Sequence, residues 1–382
     1  MTSKQQAPIP PGSTIGIMGG GQLGRMTALA AAELGYQCII FTDVPDSPAS
    51  QVCKATIVAA YNDPTALKNF AEAVDVVTFE FENIPLECVE WLTDHCLVRP
   101  NPKALAIAQD RAREKSFLNQ HGISTAPWVE ITKPDQAEDA LKTVGCPAVF
   151  KTARLGYDGK GQATVHDTQS FCKAWQEAGE VRGVLEGFID FDCEISAIAA
   201  RAPDGTTKSF DVVENQHANH ILNLTIAPAR IDRDIALGAM QIGENVAAAL
   251  NLVGLVAVEL FVTTDGELLA NEIAPRPHNS GHWTTDACIT SQFEQFARAV
   301  CGLPLGSPMR HSNAIMQNLI GSNADYWSAI VTNAENNLHL YGKKETRPNR
   351  KMGHVTRLYP LSTDWTTTEI SSAITKSFWT DG

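Results

Sequence analysis

The sequence predicts an α/β protein of two or three domains, and three observations support this class. The chain has 382 residues, which is more than a single domain usually contains. Residues 14–43 follow the order strand, glycine turn, helix, strand. Residues 254–274 contain two β-type apolar runs that flank an Asp-Gly pair. We therefore expect a parallel unit near the N-terminus and an antiparallel hairpin in the second half.

The composition is that of a globular protein with an acidic balance. It is 44% hydrophobic and 19% charged, with a net charge of −13, so we expect neither nucleic acid nor an anionic membrane as a partner. Nine scattered cysteines without metal-ligand spacing are typical of reduced thiols in a cytoplasmic protein. The leader lacks an apolar core and no stretch reaches the length of a membrane span, so we expect no export and no anchor.

The first strand–turn–helix unit contains a glycine-rich turn. Gly19, Gly21 and Gly24 fit the fingerprint of dinucleotide-binding domains, and Asp43 lies where such domains bind a ribose. The fingerprint alone is weak, because every βαβ unit needs small residues and a helix N-terminus binds any phosphate. We therefore predict Rossmann-like geometry here and leave the ligand open.

Acidic side chains end the next apolar strand, residues 74–82. Glu80, Glu82 and Asn83 follow its carboxyl end, which is the ligand side of an α/β sheet. For each glutamate taken singly, a solvated strand end is an equally good interpretation. Pro100 and Pro102 mark the expected end of the first domain.

The stretch PAVFKTARLGYDGKGQ places Lys151 on an apolar strand before three glycines. Its spacing is not that of a Walker A motif, which excludes a P-loop enzyme. A lysine here could extend from a core to solvent. A strand lysine followed by a glycine hairpin also suits a phosphate clamp, because glycines let backbone N–H groups approach an anion. The local sequence favours phosphate binding.

Two later β-type runs contain Glu186 and Glu194, with Phe188 and Phe191 beside them. This combination suits an apolar slot for a purine and its ribose. An ordinary strand pair with solvated acids explains it as well, and the local residues alone favour that interpretation.

The Asp-Gly hairpin carries the most specific chemistry. If Asp265 and Gly266 form a two-residue type I′ turn, Glu259 lies directly opposite Glu272. Cross-strand carboxylates about 5 Å apart repel by roughly 3 kcal/mol at an effective dielectric constant of ~20. Protonation, a turn toward solvent or a bulge could relieve the repulsion, but the apolar neighbours favour a pair that binds Mg²⁺ and, through it, nucleotide phosphates. Polar and anion-binding residues follow at once: Arg276, His278, Asn279 and His282.

The C-terminal part changes to short strands around the segment KKETRPNRK. Five cations lie in this segment, namely Lys343, Lys344, Arg347, Arg350 and Lys351. A solvated charge run and a rigid loop that offers forked donors to a phosphate are equally good interpretations.

A series of motifs runs through nearly the whole chain: GGGQLGRM, TFEFENIP, QDRAREK, FKTARLGYDGKGQ, EGFIDFDCEIS, VENQH, VELF, NEIAPRPHNSGHWT and RPNRKMGH. The series resembles the N5-carboxyaminoimidazole ribonucleotide synthase family of the ATP-grasp superfamily. NEIAPRPHNSGHWT and LGYDGKGQ are highly specific, and GGGQLG is the weakest. The resemblance implies a Rossmann-like preATP-grasp domain (1–109), an ATP-grasp domain (110–310) with a small lid at roughly 124–190, and a small β-rich C-terminal domain (311–382).

The resemblance also implies an activity. It is the ATP-dependent carboxylation of 5-aminoimidazole ribonucleotide (AIR) with bicarbonate, through carboxyphosphate, in purine biosynthesis. A formate-dependent glycinamide ribonucleotide transformylase of the same fold is the alternative. The expected ligands are ATP, Mg²⁺, bicarbonate and AIR, and the glycine turn would serve the ribotide instead of NAD. The family further implies a homodimer.

Residue roles follow from the same resemblance. The expected ATP-binding residues are Arg111, Lys151, Gly156, Tyr157, Asp158, Gly159, Lys160, Gly161, Gln162, Glu186, Gly187, Phe188, Ile189, Glu194, His217, Asn271 and Glu272. The expected Mg²⁺ ligands are Glu259 and Glu272. The expected ribotide-binding residues are Gln22, Glu80, Glu82, Arg276, His278, Asn279, Lys344, Arg347, Arg350 and Lys351. Catalysis is expected of Lys151, Tyr157, Arg276 and His278, the last two facing bicarbonate or carboxyphosphate.

Three positions depart from the family pattern or from simple alternation. Cys193 stands where a basic residue is expected, and His220 stands where glycine is common. Alternation along the strand sends Asn271 to the face opposite Glu272. Either a bulge re-aims Asn271 or its contact with the nucleotide is made by the backbone.

Overall fold

The computed structural model describes residues 7–156, 160–365, 367 and 378. They form three β-sheets with helices packed against them. Within these ranges no helix has the length and apolar character needed to cross a membrane. All nine cysteines lie in the described ranges and are free thiols.

The N-terminal region is a parallel four-stranded sheet flanked by helices, with strand order β3-β2-β1-β4. Its strands β1 and β4 are apolar runs, TIGIM and VVTF, that are buried along their whole length. The predicted Rossmann-like geometry is therefore confirmed. Its elements are β1 (Thr14–Met18), α1 (Gln22–Glu33), β2 (Gln37–Thr42), β3 (Ala55–Val58), α2 (Pro64–Glu72), β4 (Val76–Phe79), α3 (Leu86–Thr93) and α4 (Pro102–Ala108).

The next region is a small antiparallel sheet with strand order β5-β8-β6-β7, which we call the lid sheet. Phe150, Phe171 and Trp175 pack together under it with ring centroids 5.4–6.0 Å apart. Helix α5 precedes this sheet and lies against both β8 and β14. The elements are α5 (Arg111–Gln120), β5 (Trp128–Ile131), α6 (Ala137–Val144), β6 (Ala148–Thr152), β7 (Gln162–Val165), α7 (Thr168–Glu177) and β8 (Gly183–Gly187).

The rest of the chain builds a nine-stranded sheet, which we call the large sheet. Its strands run in the order β14-β13-β9-β11-β12-β15-β17-β16, with β10 beside β9. Strand β15 pairs with β12, so the C-terminal strands extend the central sheet. The elements are β9 (Phe191–Arg201), β10 (Thr207–Ser209), β11 (Val213–Ala218), β12 (Ile221–Ala227), α8 (Arg233–Ala249), β13 (Gly254–Thr263), β14 (Leu268–Ala274), α9 (Thr284–Ala287), α10 (Gln292–Cys301), β15 (Asn313–Ile320), α11 (Trp327–Ile330), β16 (Asn336–Leu340) and β17 (Lys351–Tyr359).

The β13–β14 hairpin differs from its prediction in two ways that compensate. The type I′ turn is wrong: of residues 264–266, Gly266 alone has a positive φ, +82°, and its N–H donates to the Thr263 carbonyl. The loop therefore has three residues and ends in a left-handed glycine, the next most common hairpin type. A bulge after the Glu259–Glu272 pair then adds one residue to β14, at Asn271. The two shifts cancel, and the predicted pairing of Glu259 with Glu272 is confirmed.

Candidate active site

Charged residues from the lid sheet, the large sheet and α5 meet in one cleft. Arg111, the first residue of α5, reaches across to Glu272 with an Nη1–Oε2 distance of 3.3 Å. Lys151 extends from β6 and donates to the Asn271 amide oxygen at 3.1 Å. The bulge explains this contact, because it turns Asn271 toward the cleft beside Glu272. The structure thus brings together four residues that the sequence predicted at a phosphate site.

Glu186 is buried between two lysines. Its Oε2 lies 3.0 Å from Lys151 Nζ and its Oε1 lies 3.2 Å from Lys115 Nζ. Burial alone would raise the pKa of Glu186, but the charges of Lys151 and Lys115 lower it to about 2. The carboxylate that the family resemblance places at the adenine is therefore an ion-pair partner of Lys151, which the same resemblance places at the phosphates.

Helix α5 contributes two residues that the sequence reasoning missed. Glu114 accepts the Ile273 backbone N–H at 2.6 Å, and Lys115 is fully buried against Glu186. With Arg111 and Leu118 they follow the i, i+3, i+4, i+7 spacing of one helix face. Charged residues at the positions where an amphipathic helix usually has apolar ones could have indicated that Glu114 and Lys115 are buried.

The paired carboxylates of the hairpin differ in their electrostatics. Burial and the neighbouring charge of Glu272 raise the pKa of Glu259 to about 7. Burial also acts to raise the pKa of Glu272, but the charges of Arg111 and Lys151 outweigh it and lower that pKa. Solvent still reaches Glu272, whose side chain is 38% exposed. The charge of Glu272 thus disfavours ionisation of Glu259, and a bound cation would relieve this repulsion.

His278 is buried beside this pair. Its Nε2 lies 3.2 Å from Glu259, and the Ser280 N–H points to its Nδ1 at 3.3 Å. Burial, together with the nearby charges of Arg276 and Lys351, holds the pKa of His278 well below its usual range. The ring is therefore neutral, and its Nε2 faces the Glu259 carboxylate.

Arg276 links the hairpin to the N-terminal sheet, because its Nε lies 2.7 Å from the Glu82 carboxylate. It is also close enough to Glu272 to help lower the pKa of that residue. Asn279 follows, and neither atom of its buried amide makes a hydrogen bond to any residue that the structure describes. A buried amide in this state points to a ligand at the site.

His217 and Glu194, both predicted at the nucleotide, lie together. The His217 ring contacts the Glu194 carboxylate. Burial acts to lower the pKa of His217, but the hydrogen bond and charge of Glu194 raise it. Phe188 is 55% exposed and Ile189 is half-buried at the end of β8, where apolar surface is accessible to a base.

The glycine turn binds an anion that belongs to the protein. The Glu80 carboxylate accepts the N–H groups of Gly21 and, at 2.6 Å, of Gly24 at the start of α1. A Cβ atom on Gly19 would lie 2.4 Å from Glu80 Cγ, so this position has no room for a side chain. The Glu80 carboxyl group thus occupies the helix N-terminus, and burial raises its pKa although both N–H groups act to lower it. Gln22 is half-buried beside it.

The cationic loop between β16 and β17 contacts the segment 46–51, which lies beside Gly20 of the glycine turn. Lys344 Nζ lies 2.8 Å from Asp46, and the Gly342 carbonyl accepts a hydrogen bond of 2.8 Å from Gln51. Asp46 is followed by Ser47, whose buried hydroxyl makes no hydrogen bond within the described ranges. Arg347 pairs with Glu345, and Arg350 donates to the Glu345 carbonyl at 2.9 Å. The loop therefore faces the turn, as a shared ligand would require.

Part of the predicted glycine loop lies outside the described residues: Tyr157, Asp158 and Gly159. Its ends are described. A Cβ atom on Gly156 would lie 3.6 Å from Arg111 Nη2, and the Gly161 carbonyl accepts the Thr152 N–H at 2.8 Å. Lys160 and Gln162 follow the same turn into β7, and Gln162 is 3.4 Å from the His220 ring.

The departure at His220 has a backbone explanation. His220 has φ +64° and Asn219 has φ +51° in the turn between β11 and β12. Glycine is the residue best suited to this left-handed conformation. Cys193 lies on β9, partly buried, and pairs in register with Val262 of β13.

Comparisons with known proteins agree along the chain. The ATP-grasp domain profile matches residues 116–293, the ribonucleotide synthetase preATP-grasp domain matches 13–109, and the phosphoribosylaminoimidazole carboxylase C-terminal domain matches 314–364. The N5-carboxyaminoimidazole ribonucleotide synthase of Brucella melitensis is 50% identical over 355 residues, which cover 92% of this chain and 98% of that protein.

Solved structures agree as well. The N5-carboxyaminoimidazole synthetase of Staphylococcus aureus complexed with ADP has a TM-score of 0.91 at 32% identity and covers 97% of this chain and 98% of its own. The Aspergillus clavatus synthase in complex with ADP and AIR has a TM-score of 0.86 at 28% identity, covering 91% and 94%.

The fold and the site define an ATP-grasp ligase. More narrowly, the chain belongs to the N5-carboxyaminoimidazole ribonucleotide synthase family.

Proposed function

We propose that the chain is an ATP-dependent ligase that carboxylates AIR in purine biosynthesis, the activity of its family. The observation that carries this conclusion is the meeting of Lys151, Arg111 and the Glu259–Glu272 pair in one cleft that Arg276 connects to the N-terminal sheet. The formyl-transfer alternative gains no support, because the matching C-terminal profile is that of the carboxylase.

Mg²⁺ fits the carboxylate pair. Glu259 and Glu272 face each other, and the raised pKa of Glu259 reflects repulsion by its partner and burial. Two carboxylates with phosphate oxygens and water form a usual Mg²⁺ site. Glu259 and Glu272 would hold the ion, which would supply charge neutralisation for the nucleotide phosphates.

ATP would lie between the lid sheet and the hairpin. Lys151 and Arg111 would bind the phosphates, together with N–H groups of the loop 156–162. His217 and Glu194 would contact the ribose, and the base would pack near Phe188 and Ile189. Transfer of a phosphoryl group depends on positioning and charge neutralisation, which this arrangement supplies.

Bicarbonate would lie near Arg276 and His278. One of its oxygens would attack the γ-phosphorus, and the bond to the β-phosphate oxygen would break to release ADP and form carboxyphosphate. Loss of phosphate would then give CO₂ within the cleft. The exocyclic nitrogen of AIR would form a bond to that carbon, and its proton would pass to the departing phosphate. Glu82 holds Arg276 in place for this step by their 2.7 Å ion pair.

AIR would lie between the glycine turn and the cationic loop. Gln22 and Asn279 are placed to contact its ring or ribose, and Tyr157 would close over the reacting groups. Lys344, Arg347, Arg350 and Lys351 would surround its phosphate. The carboxylate of Glu80 already accepts two backbone N–H groups, so we assign it to the shape of the turn and Glu82 to the substrate side.

An ADP-release assay tests the activity. We expect turnover to require both AIR and bicarbonate, and glycinamide ribonucleotide with formate to give none. Turnover with the formate pair and none with AIR would overturn the proposal.

The Arg350→Ala variant tests the ribotide site. We expect it to raise KM for AIR about tenfold, the effect of losing one charge-assisted hydrogen bond, while KM for ATP stays within about twofold. Lys68→Ala, an exposed cation on α2, is the matched control. Equal increases in both constants would refute the phosphate role of the loop.

By family analogy we also propose that the chain forms a homodimer and lies in the cytoplasm. Sedimentation equilibrium of the purified chain measures the oligomeric state, and cell fractionation measures the location. A monomer at micromolar concentration would refute the dimer.

A further inference from the structure

We propose that a partly buried cluster of His282, Asp286, His339, Tyr341 and His354 positions the ribotide-binding loop against the segment that carries Arg276 and His278. His339 and Asp286 are the positioning residues of this cluster. The inference rests on the ribotide role proposed above for the loop 341–350.

We call the contacts of this cluster the clamp. The first of them lies at the start of the loop. His339 lies on β16, just before the loop, and its Nε2 is 3.0 Å from both carboxylate oxygens of Asp286. Asp286 lies on α9, directly after the turn that contains His278 and His282. One N–H donor thus connects β16, the strand before the loop, to the segment that carries Arg276 and His278.

The strand that follows the loop, β17, also contacts this segment. His354 on β17 lies opposite His339, and the two rings stack at 4.5 Å with an interplanar angle of 14°. His354 Nδ1 is 2.8 Å from the Tyr341 hydroxyl, and its ring lies 4.9 Å from the His282 ring. His354 and Tyr341 are both buried. The loop therefore leaves and re-enters the sheet beside His282.

Gln292 carries the connection on to His278. Its amide Nε2 lies 3.2 Å from His282 Nδ1 and donates to the His278 carbonyl at 2.7 Å. Its Oε1 accepts the His278 N–H at 2.9 Å. Both polar backbone groups of His278 are thus held by a side chain that also contacts the cluster. The contacts run without a gap from the loop to the His278 ring, which faces Glu259.

A divalent metal is the competing assignment. Asp286, His339 and His354 offer ligand atoms within 4.8 Å of one another, and His354 Nε2 is buried without a hydrogen-bond partner among the described residues. The stacking argues against an ion, because the lone pair of an imidazole nitrogen lies in the ring plane. Two nearly parallel rings cannot direct their lone pairs to one point between them. We therefore assign the cluster to hydrogen bonding and stacking.

The test uses the full chain and two variants of one residue. His339→Ala removes the donor to Asp286, whereas His339→Gln keeps an N–H near the position of Nε2. We expect His339→Ala to raise KM for AIR about tenfold with KM for ATP within about twofold, and His339→Gln to recover most of that loss. His311→Ala, an exposed histidine before β15, is the control and should match the unmodified chain.

Three results would overturn the clamp. The first is an equal rise in both KM values for His339→Ala with no recovery in His339→Gln, which indicates a merely structural role. The second is one equivalent of Zn²⁺ bound by the unmodified chain after dialysis and lost in His339→Ala. The third is an unchanged KM for AIR in His339→Ala although Arg350→Ala raises it. If His339→Ala raises that constant and Arg350→Ala does not, the clamp stands and the role of Arg350 fails.

Discussion

Two buried acidic sites border the same cleft with opposite electrostatics. Glu186 lies between Lys115 and Lys151, and their charges overcome burial to lower its pKa to about 2. Glu259 lies opposite Glu272, and burial with that like charge raises its pKa to about 7. Each carboxylate is mostly withdrawn from water, so the difference comes from the neighbours that the fold supplies.

The difference separates a structural frame from a binding site. Glu186 has two cations of its own and needs no further ligand. In the hairpin pair, burial and the charge of Glu272 raise the pKa of Glu259, and this repulsion would be relieved by a ligand that brings positive charge. Removing a partner from the first site should therefore reduce stability, and altering the second should reduce activity.

The largest expected effect is on turnover. Glu272→Gln keeps the size of the side chain but removes a charge needed for Mg²⁺, so we expect kcat to fall on the order of 10³-fold, about 4 kcal/mol of transition-state stabilisation. The melting temperature should change by no more than about 2 °C. Steady-state ADP release and calorimetry measure the two quantities.

The matched control is Glu267→Gln, an exposed acid of the same hairpin. It should leave kcat unchanged. Near-normal turnover in Glu272→Gln would refute the assignment of Mg²⁺ to the carboxylate pair. The contrast between the two sites would then lose its basis.

The next effect is on stability. Lys115→Met leaves buried Glu186 with one cation in place of two, and we expect the free energy of unfolding to fall by about 3 kcal/mol. Adding Glu186→Gln to Lys115→Met should restore most of this loss, because the uncompensated charge is then gone. Urea denaturation monitored by circular dichroism measures both.

Lys68→Met is the control for this series, since Lys68 is an exposed partner of Glu72 on α2. Its effect should stay within about 0.5 kcal/mol. If Lys115→Met lowered the free energy of unfolding by no more than Lys68→Met does, Lys115 and Lys151 would not form the frame described here.

The hairpin was largely predictable from the sequence. The Asp-Gly pair and two apolar runs located the turn, and counting outward paired Glu259 with Glu272. The three-residue loop and the bulge were not predictable, because both loop lengths accept Asp-Gly. The path of β14 is also set by distant groups: Ser124 accepts the Ala270 N–H, and Glu114 accepts the Ile273 N–H.

The lysine frame was much harder to predict. Lys115 and Glu186 are 71 residues apart, and nothing local to either indicates the other. The glycine turn shows the same limit: its spacing left the ligand open, and the Glu80 carboxyl group, 56 residues beyond Gly24, occupies the helix N-terminus. Local patterns identify the groups that can bind an anion, and the tertiary fold decides which anion they receive.

The smallest of these effects is a pH-dependent difference in stability. Glu259 has a folded pKa of about 7 against an ordinary value of 4.5, so the folded state binds the proton more tightly than the unfolded state does. Its contribution is therefore present below about pH 4.5 and is lost as the pH rises through about 7.

Glu259→Gln does not titrate. Without Mg²⁺ we expect the variant to be more stable than the unmodified chain by about 2 kcal/mol at pH 8, with little difference at pH 5. Urea titrations in EDTA at the two pH values measure the gap, and added Mg²⁺ should narrow it. A variant that is less stable at pH 8 would mean that His278 alone satisfies the Glu259 carboxylate, and the hairpin would then resemble the Glu186 site.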